Sequence, residues 1–296
     1  MDTAKPSDDQ YAALNYCVSF IDLLGQRAAL RGQGLVPKID SPEEKAAFLQ
    51  VLKESVGTIA NLQKRATDML AEATGADPEP PRRGPLSPEQ KLIWGEMNRT
   101  DIRTQRWSDG LVSFVNLGDK SILCPLNGVF HLFGLAGALC FLGLSSNRPL
   151  RGAIETAWGM ELHPGELYGA VIARAYELES EIAQYPRIVV GSGTIQLLIA
   201  HQQNPLEDVY SQHNRGLADL CLKMLARDLD GYWIVNYLGR TFRESITQAE
   251  HDEMYEAADR NVVAQHEMHQ KAGNSKLAFR YANLRHYFAA HRANAV

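Results

Sequence analysis

Residues 16–25 read YCVSFIDLLG, an apolar run that carries a single charge, Asp22, and ends at Gly25. A short apolar run with β-branched and aromatic residues predicts a buried strand that enters a turn at the glycine. A carboxylate next to the hydrophobic core is costly to desolvate, and such a group is normally paired with a cation. Asp22 is therefore the first candidate site residue.

The same setting recurs at residues 107–114, WSDGLVSF, where Asp109 lies in an SDG turn between two β-type runs. This triplet predicts a strand hairpin over residues 103–115. A strand end and a hairpin turn can meet at one edge of a sheet, where two carboxylates would hold Mg²⁺ or Mn²⁺ together with a substrate triphosphate. The alternative is that Asp109 only shapes its turn and Asp22 only caps one.

The rest of the chain predicts an α+β protein with helices on one face of the sheet. Helices are predicted at about 41–73, 122–144 and 168–183, and strands at 150–162, 187–191 and, after a turn, within 228–235. Residues 77–88 are rich in proline and predict an exposed loop. We therefore predict a domain over residues 1–195, with a helical and proline-rich insertion around 40–100, and a mainly helical extension over 196–296.

Composition restricts the partners. The 296 residues carry a formal net charge of -5 with a pI near 6.0, so no general attraction to nucleic acid or to an anionic membrane is expected. Residues 122–144 are apolar enough to span a bilayer, but polar side chains interrupt the segment and no basic cluster flanks it, which favours a buried helix. No secretory signal is recognisable at the start, and the predicted location is the cytoplasm.

Four short motifs carry a resemblance to a known family. They are FIDLLG at 20–25, SDG at 108–110, RGAI at 151–154 and YGAVIARAYELE at 168–179. In this order they resemble the motifs of class III nucleotide cyclases. Their variant forms, with YPRI at 185–188, most resemble the pyrimidine cyclases of bacterial Pycsar antiphage systems, and the resemblance covers roughly residues 16–191.

The resemblance implies a class III cyclase-like sheet with a ferredoxin-like βαββαβ core. It implies conversion of UTP or CTP, with UTP favoured, to the 3′,5′-cyclic nucleotide and pyrophosphate, with two Mn²⁺ or Mg²⁺ ions as cofactors. Because sites of this class form between two subunits, it implies a homodimer. The cyclic product would act as a second messenger on a separate effector protein in antiphage defence.

Carried over by position, Asp22 and Asp109 match the two metal-binding aspartates, and the Leu23 backbone carbonyl would reach one metal. Phe20 would lie beside the nucleotide. Period-two alternation places two further polar side chains of the preceding strand on the face of Asp109. These are Arg103 and Gln105, of which Gln105 matches the base-reading lysine of purine cyclases. The alternative is that both simply belong to a polar edge strand.

Three positions depart from the family pattern. Ala170, Ala173 and Glu177 stand where purine cyclases have the base-reading aspartate, the ribose-positioning asparagine and the phosphate-stabilising arginine. Arg174, one helical turn before Glu177, is the nearest candidate to replace that arginine, with a solvated helix-face arginine as the alternative. The departures argue against an ordinary adenylate or guanylate cyclase, and they leave open a purine cyclase with rearranged recognition or a catalytically degenerate nucleotide-binding module.

Arg151, in the RGAI motif, has two interpretations. It lies at the mouth of a predicted strand, where an arginine often pairs with an acid, and we favour this pairing. Contact with a substrate phosphate is the alternative.

Overall fold

The computed structural model describes residues 12–25, 39–74, 86–107, 109–247 and 251–292, which form an α+β protein built on a mixed sheet. The strands are β1 (Leu14–Leu23), β2 (Ile102–Trp107), β3 (Gly110–Asn116), β4 (Leu150–His163), β5 (Glu166–Tyr168), β6 (Ile188–Val190), β7 (Leu225–Arg227) and β8 (Trp233–Val235). Their order is β2-β3-β1-β4-β6-β8-β7, and β5 pairs with the far end of β4. Among the strand pairs of the described residues, β4 with β6 is parallel and the others are antiparallel.

The helices pack on this sheet and dominate the C-terminal region. They are α1 (Pro42–Thr74), α2 (Pro88–Asn98), α3 (Leu126–Ser145), α4 (Ala170–Glu177), α5 (Ser192–Gln202), α6 (Val209–Lys223), α7 (Arg240–Phe242), α8 (His251–Lys271) and α9 (Ser275–Arg292). A π-helical turn, Leu178–Ile182, continues α4.

The predicted α+β class and the helical character of the C-terminal region are confirmed. The region after residue 196 also supplies β7 and β8, which extend the same sheet beyond β6. The predicted insertion around 40–100 contains two helices, α1 and α2. Ser87 is the N-cap of α2 and forms a capping box that satisfies backbone N–H groups in the first turn. Residues 77–85 of the predicted proline-rich loop at 77–88, and Ser108 of the SDG turn, lie outside the described residues.

The alternation of side chains along β1 divides the core between the two faces of the sheet. Ile21 and Leu23 pack in the larger cluster with α3, whereas Val18 and Phe20 pack in a smaller cluster beneath α4. Among the described residues, α3 is the one helix long and apolar enough to cross a membrane, and 78% of its apolar window is buried inside the protein. The burial of α3 is consistent with the core helix of a soluble protein.

The strands β1 and β4 approach closely at Gly152. A Cβ atom added there would lie 2.5 Å from the Phe20 carbonyl oxygen and 3.1 Å from the Ile188 side chain. Backbone oxygen cannot yield as a flexible side chain does, so the two strands would have to separate. The glycine of the RGAI motif is therefore required by packing next to Asp22.

We expect Gly152→Ala to lower the free energy of unfolding by about 1–3 kcal/mol, because overpacking of a close strand pair forces the backbone apart. Urea denaturation followed by circular dichroism measures the change. The matched control is Gly216→Ala in α6, where an added Cβ meets nothing within 4 Å and alanine raises helix propensity. Equal stability of Gly152→Ala and the wild-type protein would contradict the packing argument.

Candidate functional site

The register of the sheet brings the two predicted aspartates to one end of it. Asp22 on β1 lies opposite Gly110 on β3 and opposite Arg151 on β4. Asp109 immediately precedes Gly110 in the turn that joins β2 to β3. Asp22 and Asp109 accordingly line the same cleft, which has a volume of about 490 Å³.

One wall of the cleft is aromatic. The buried Phe20 ring meets Trp107 edge to face at a centroid distance of 6.0 Å, and it meets Tyr176 in the same way at 5.7 Å. Trp107 is 44% exposed and Tyr176 is 50% exposed, so their rings are open to a ligand while Phe20 supports them from below. A planar, partly apolar group such as a nucleobase suits this wall.

The other wall is charged and centres on Arg151. Its Nε atom lies 2.5 Å from Glu179 Oε1, and an Nη atom lies 3.7 Å from Asp22 Oδ2. Glu179 is only 2% exposed, so its charge is screened little by water. Arg151 therefore pairs with acids, as favoured from the sequence, and it links the buried Glu179 to Asp22.

The charges of this wall act on one another. Burial is the main cause that raises the pKa of Glu179, to about 7. The guanidinium of Arg151 opposes this shift, whereas the carboxylates of Asp22 and Asp109 add to it. Three carboxyl groups and one guanidinium thus line this end of the cleft, and the excess of carboxyl groups makes it acidic and attractive to a cation.

The two residues predicted to read the base, Arg103 and Gln105, make contacts away from the cleft. Arg103 donates to Glu161 at 2.6 Å and to Asp101 at 3.0 Å, and Gln105 accepts a hydrogen bond from the Leu167 backbone N–H at 3.2 Å. These contacts tie β2 to β4 and β5. Neither side chain lines the cleft that holds the aspartates.

Arg174 and Leu23 are also placed apart from the cleft. Burial raises the pKa of Glu155, and the charge of Arg174, which is exposed on α4, opposes this shift. Arg174 is not among the residues that line the cleft of its own chain. The Leu23 side chain is 4% exposed and faces the opposite side of the sheet from Asp22. Only its backbone, which directly follows Asp22, is close to the candidate site.

Sequence reasoning did not select three of the cleft residues as site residues. These are Trp107, which ends β2, and Tyr176 and Glu179, which lie in the YGAVIARAYELE motif. The spacing of Tyr176 and Glu179, three residues apart on a helix, places both on one helix face. That spacing is the signal that identifies them.

Among the described residues, no group of three or more histidine, cysteine, aspartate or glutamate side chains is arranged to hold a metal ion by itself. Any divalent ion at Asp22 and Asp109 would therefore need further oxygen ligands, which water and substrate phosphates supply. A scan of protein-family models and searches of curated proteins and of solved structures found no match to this chain.

Proposed function

We propose that this protein is a metal-dependent nucleotide cyclase that converts UTP, or CTP, to the 3′,5′-cyclic nucleotide and pyrophosphate. The observation that carries the proposal is the cleft in which Asp22 and Asp109 lie together beside an aromatic wall. An acidic end for a metal-bound triphosphate and an aromatic surface for a base are the two parts that such a substrate requires.

The strand order supports a class III cyclase-like core. Along the chain, α1 and α2 lie between β1 and β2, and α3 lies between β3 and β4; apart from the second helix of the first connection, this is the βαββαβ connectivity of a ferredoxin-like sheet. In this arrangement the end of β1 and the β2–β3 turn are neighbours. The fold thus accounts for why Asp22 and Asp109, distant in sequence, share one cleft.

The residues present fit a divalent cation. Asp22 and Asp109 offer carboxylate oxygens, the Leu23 carbonyl follows directly, and the surrounding charge is acidic. These three residues would hold Mn²⁺ or Mg²⁺. When bound, the ions would neutralise the phosphates and favour ionisation of the 3′ hydroxyl.

The chain's own residues perform the positioning. Phe20, Trp107 and Tyr176 would hold the base, which fixes the distance between the ribose and the acidic end of the cleft. Arg151, anchored by Glu179, would keep the Asp22 carboxylate oriented. Phosphoryl transfer depends mostly on such positioning and on electrostatics, so these roles account for catalysis without a covalent intermediate.

A homodimer is part of the proposal. The far end of β4 and the adjoining β5 expose large apolar side chains, with Trp158 50% exposed and Tyr168 62% exposed. Exposed aromatic residues close together are typical of protein interfaces. A partner subunit on this surface would supply a second cation to the cleft, with Arg174 as the candidate, because the Arg151 of the cleft is already paired with Asp22 and Glu179.

The cellular role follows from the resemblance. The cyclic product would act in the cytoplasm as a second messenger that activates a separate effector during antiphage defence.

The test is a product assay with ATP, GTP, UTP and CTP, each with Mn²⁺. We expect cyclic UMP, or cyclic CMP, together with pyrophosphate, detected by mass spectrometry. Cyclic AMP or cyclic GMP would instead identify a purine cyclase. No product from any of the four would reject the proposal.

The position of Arg174 outside the cleft, with Ala173 and Glu177 beside it, favours one second candidate, a nucleotide-binding module without turnover. Tight binding of a triphosphate without product, measured by calorimetry, would support that function instead.

A further inference from the structure

A second cavity lies on the opposite face of the sheet from the candidate cleft. It has a volume of about 470 Å³ and opens between α1 and α3. Leu23 lines it, whereas the preceding residue, Asp22, lines the cleft. Successive residues of a strand point to opposite faces, so the end of β1 separates the two spaces.

The floor of this cavity is apolar. It is formed by leucine side chains from four elements, namely Leu23 on β1, Leu62 on α1, Leu139 and Leu142 on α3, and Leu150 on β4. Leu62, Leu139 and Leu150 are at most 6% exposed, so they belong to the packed core and the floor is fixed. Pockets of a few hundred Å³ with such floors are typical of small-molecule sites.

The rim of the cavity is cationic. Lys53 and Arg65 come from α1, and Arg148 comes from the turn after α3, where its backbone N–H donates to the Gly143 carbonyl at 2.7 Å. Among the residues that the structure describes, no aspartate or glutamate lines the cavity. Within the described part of the chain, none of these three cations has a carboxylate partner within salt-bridge distance.

Three cations lie together at this rim, although the chain as a whole has more acidic than basic side chains, 35 against 30. On α1 itself, the neighbouring Lys64 is paired with Asp68 at 2.7 Å, while Arg65 is directed to the cavity. Cations kept near one another without acids repel, and an anionic ligand would relieve that repulsion.

We propose that this cavity between α1 and α3 is a binding site for a small organic anion with an apolar body. The anionic group would lie among Lys53, Arg65 and Arg148, and the apolar body would lie on the leucine floor. The site does not depend on the proposed cyclase activity, because it uses a different face of the sheet and its test needs no turnover.

The experiment uses two fluorescent dyes with the full-length protein. One is 8-anilinonaphthalene-1-sulfonate, an anion with an apolar body, and the other is N-phenyl-1-naphthylamine, which lacks the sulfonate. The double variant Arg65→Gln/Arg148→Gln removes two rim cations. The control is Arg260→Gln/Lys276→Gln, which removes two exposed cations from α8 and α9.

We expect the rim variant to bind the anionic dye roughly fivefold more weakly than the wild-type protein, since each partly exposed ion pair contributes about 0.5 kcal/mol. Binding of the neutral dye and the melting temperature should stay unchanged, and the control should match the wild-type protein. No saturable binding of the anionic dye, or equal loss in both double variants, would overturn the proposal.

A competition experiment identifies the chemical class of the ligand. Displacement of the bound anionic dye by decanoate would assign an aliphatic carboxylate, and displacement by UMP would assign a nucleotide. Displacement by neither would show that only the dye is accepted, and it would overturn the proposal.

Discussion

Asp22→Asn is expected to reduce formation of the cyclic nucleotide by at least about 100-fold. The substitution keeps the shape of the side chain and removes the negative charge that would hold a metal ion against the triphosphate. Loss of one electrostatic group that acts on the developing charge costs on the order of 10²–10³ in rate. Initial rates with UTP and Mn²⁺ measure the effect, and Asp109→Asn should behave in the same way.

The loss should be one of activity and not of folding. Arg151 keeps its closer contact, 2.5 Å to Glu179, when the 3.7 Å contact with Asp22 is weakened. The melting temperature of Asp22→Asn should therefore remain close to that of the wild-type protein. The matched control is Asp219→Asn in α6, which removes one exposed carboxylate that pairs with Lys223 and should leave the rate unchanged. Activity of Asp22→Asn above one tenth of the wild-type rate would contradict the assigned role.

The positions of the strands and helices that have a strong side-chain pattern could be predicted from the sequence. The apolar run of β1, the SDG turn between β2 and β3 and the apolar α3 all lie close to where their patterns predict them. Local patterns also identified Asp22 and Asp109, because each aspartate interrupts or adjoins a buried strand. The pairing register then places both at one end of the sheet.

The side chains around the aspartates were harder to predict because they depend on distant pairings. Alternation predicts that Arg103 and Gln105 share the face of Asp109, but it does not reveal that Arg103 binds Glu161 and that Gln105 accepts from the Leu167 backbone N–H. Those partners come from β4 and β5, about sixty residues away. The spacing from Tyr176 places Glu179 on the same helix face, but the sequence does not reveal that the π-helical turn after α4 packs against β1 and brings this face to the cleft.

Arg187→Met is expected to lower the free energy of unfolding by about 3 kcal/mol. Arg187 is 3% exposed and donates to Asp228, to Asp230 and to the Ile182 carbonyl, each at 2.6 Å. It thereby connects the start of β6 to the turn between β7 and β8. Tyr185 adds a hydrogen bond to Asp228, and its ring lies 4.3 Å from the guanidinium.

Methionine keeps most of the buried volume of Arg187 but leaves Asp228, which is 9% exposed, without its cation. An uncompensated buried charge is the main cost when one partner of a buried ion pair is removed. The double variant Arg187→Met/Asp228→Asn should therefore recover part of the loss. Arg260→Met, where the side chain is 71% exposed and lies 3.7 Å from Glu256, should change stability by less than about 0.5 kcal/mol. Urea denaturation of the four proteins gives these differences. If Arg187→Met were as stable as Arg260→Met, the ion pairs would not hold β7 and β8 on the sheet.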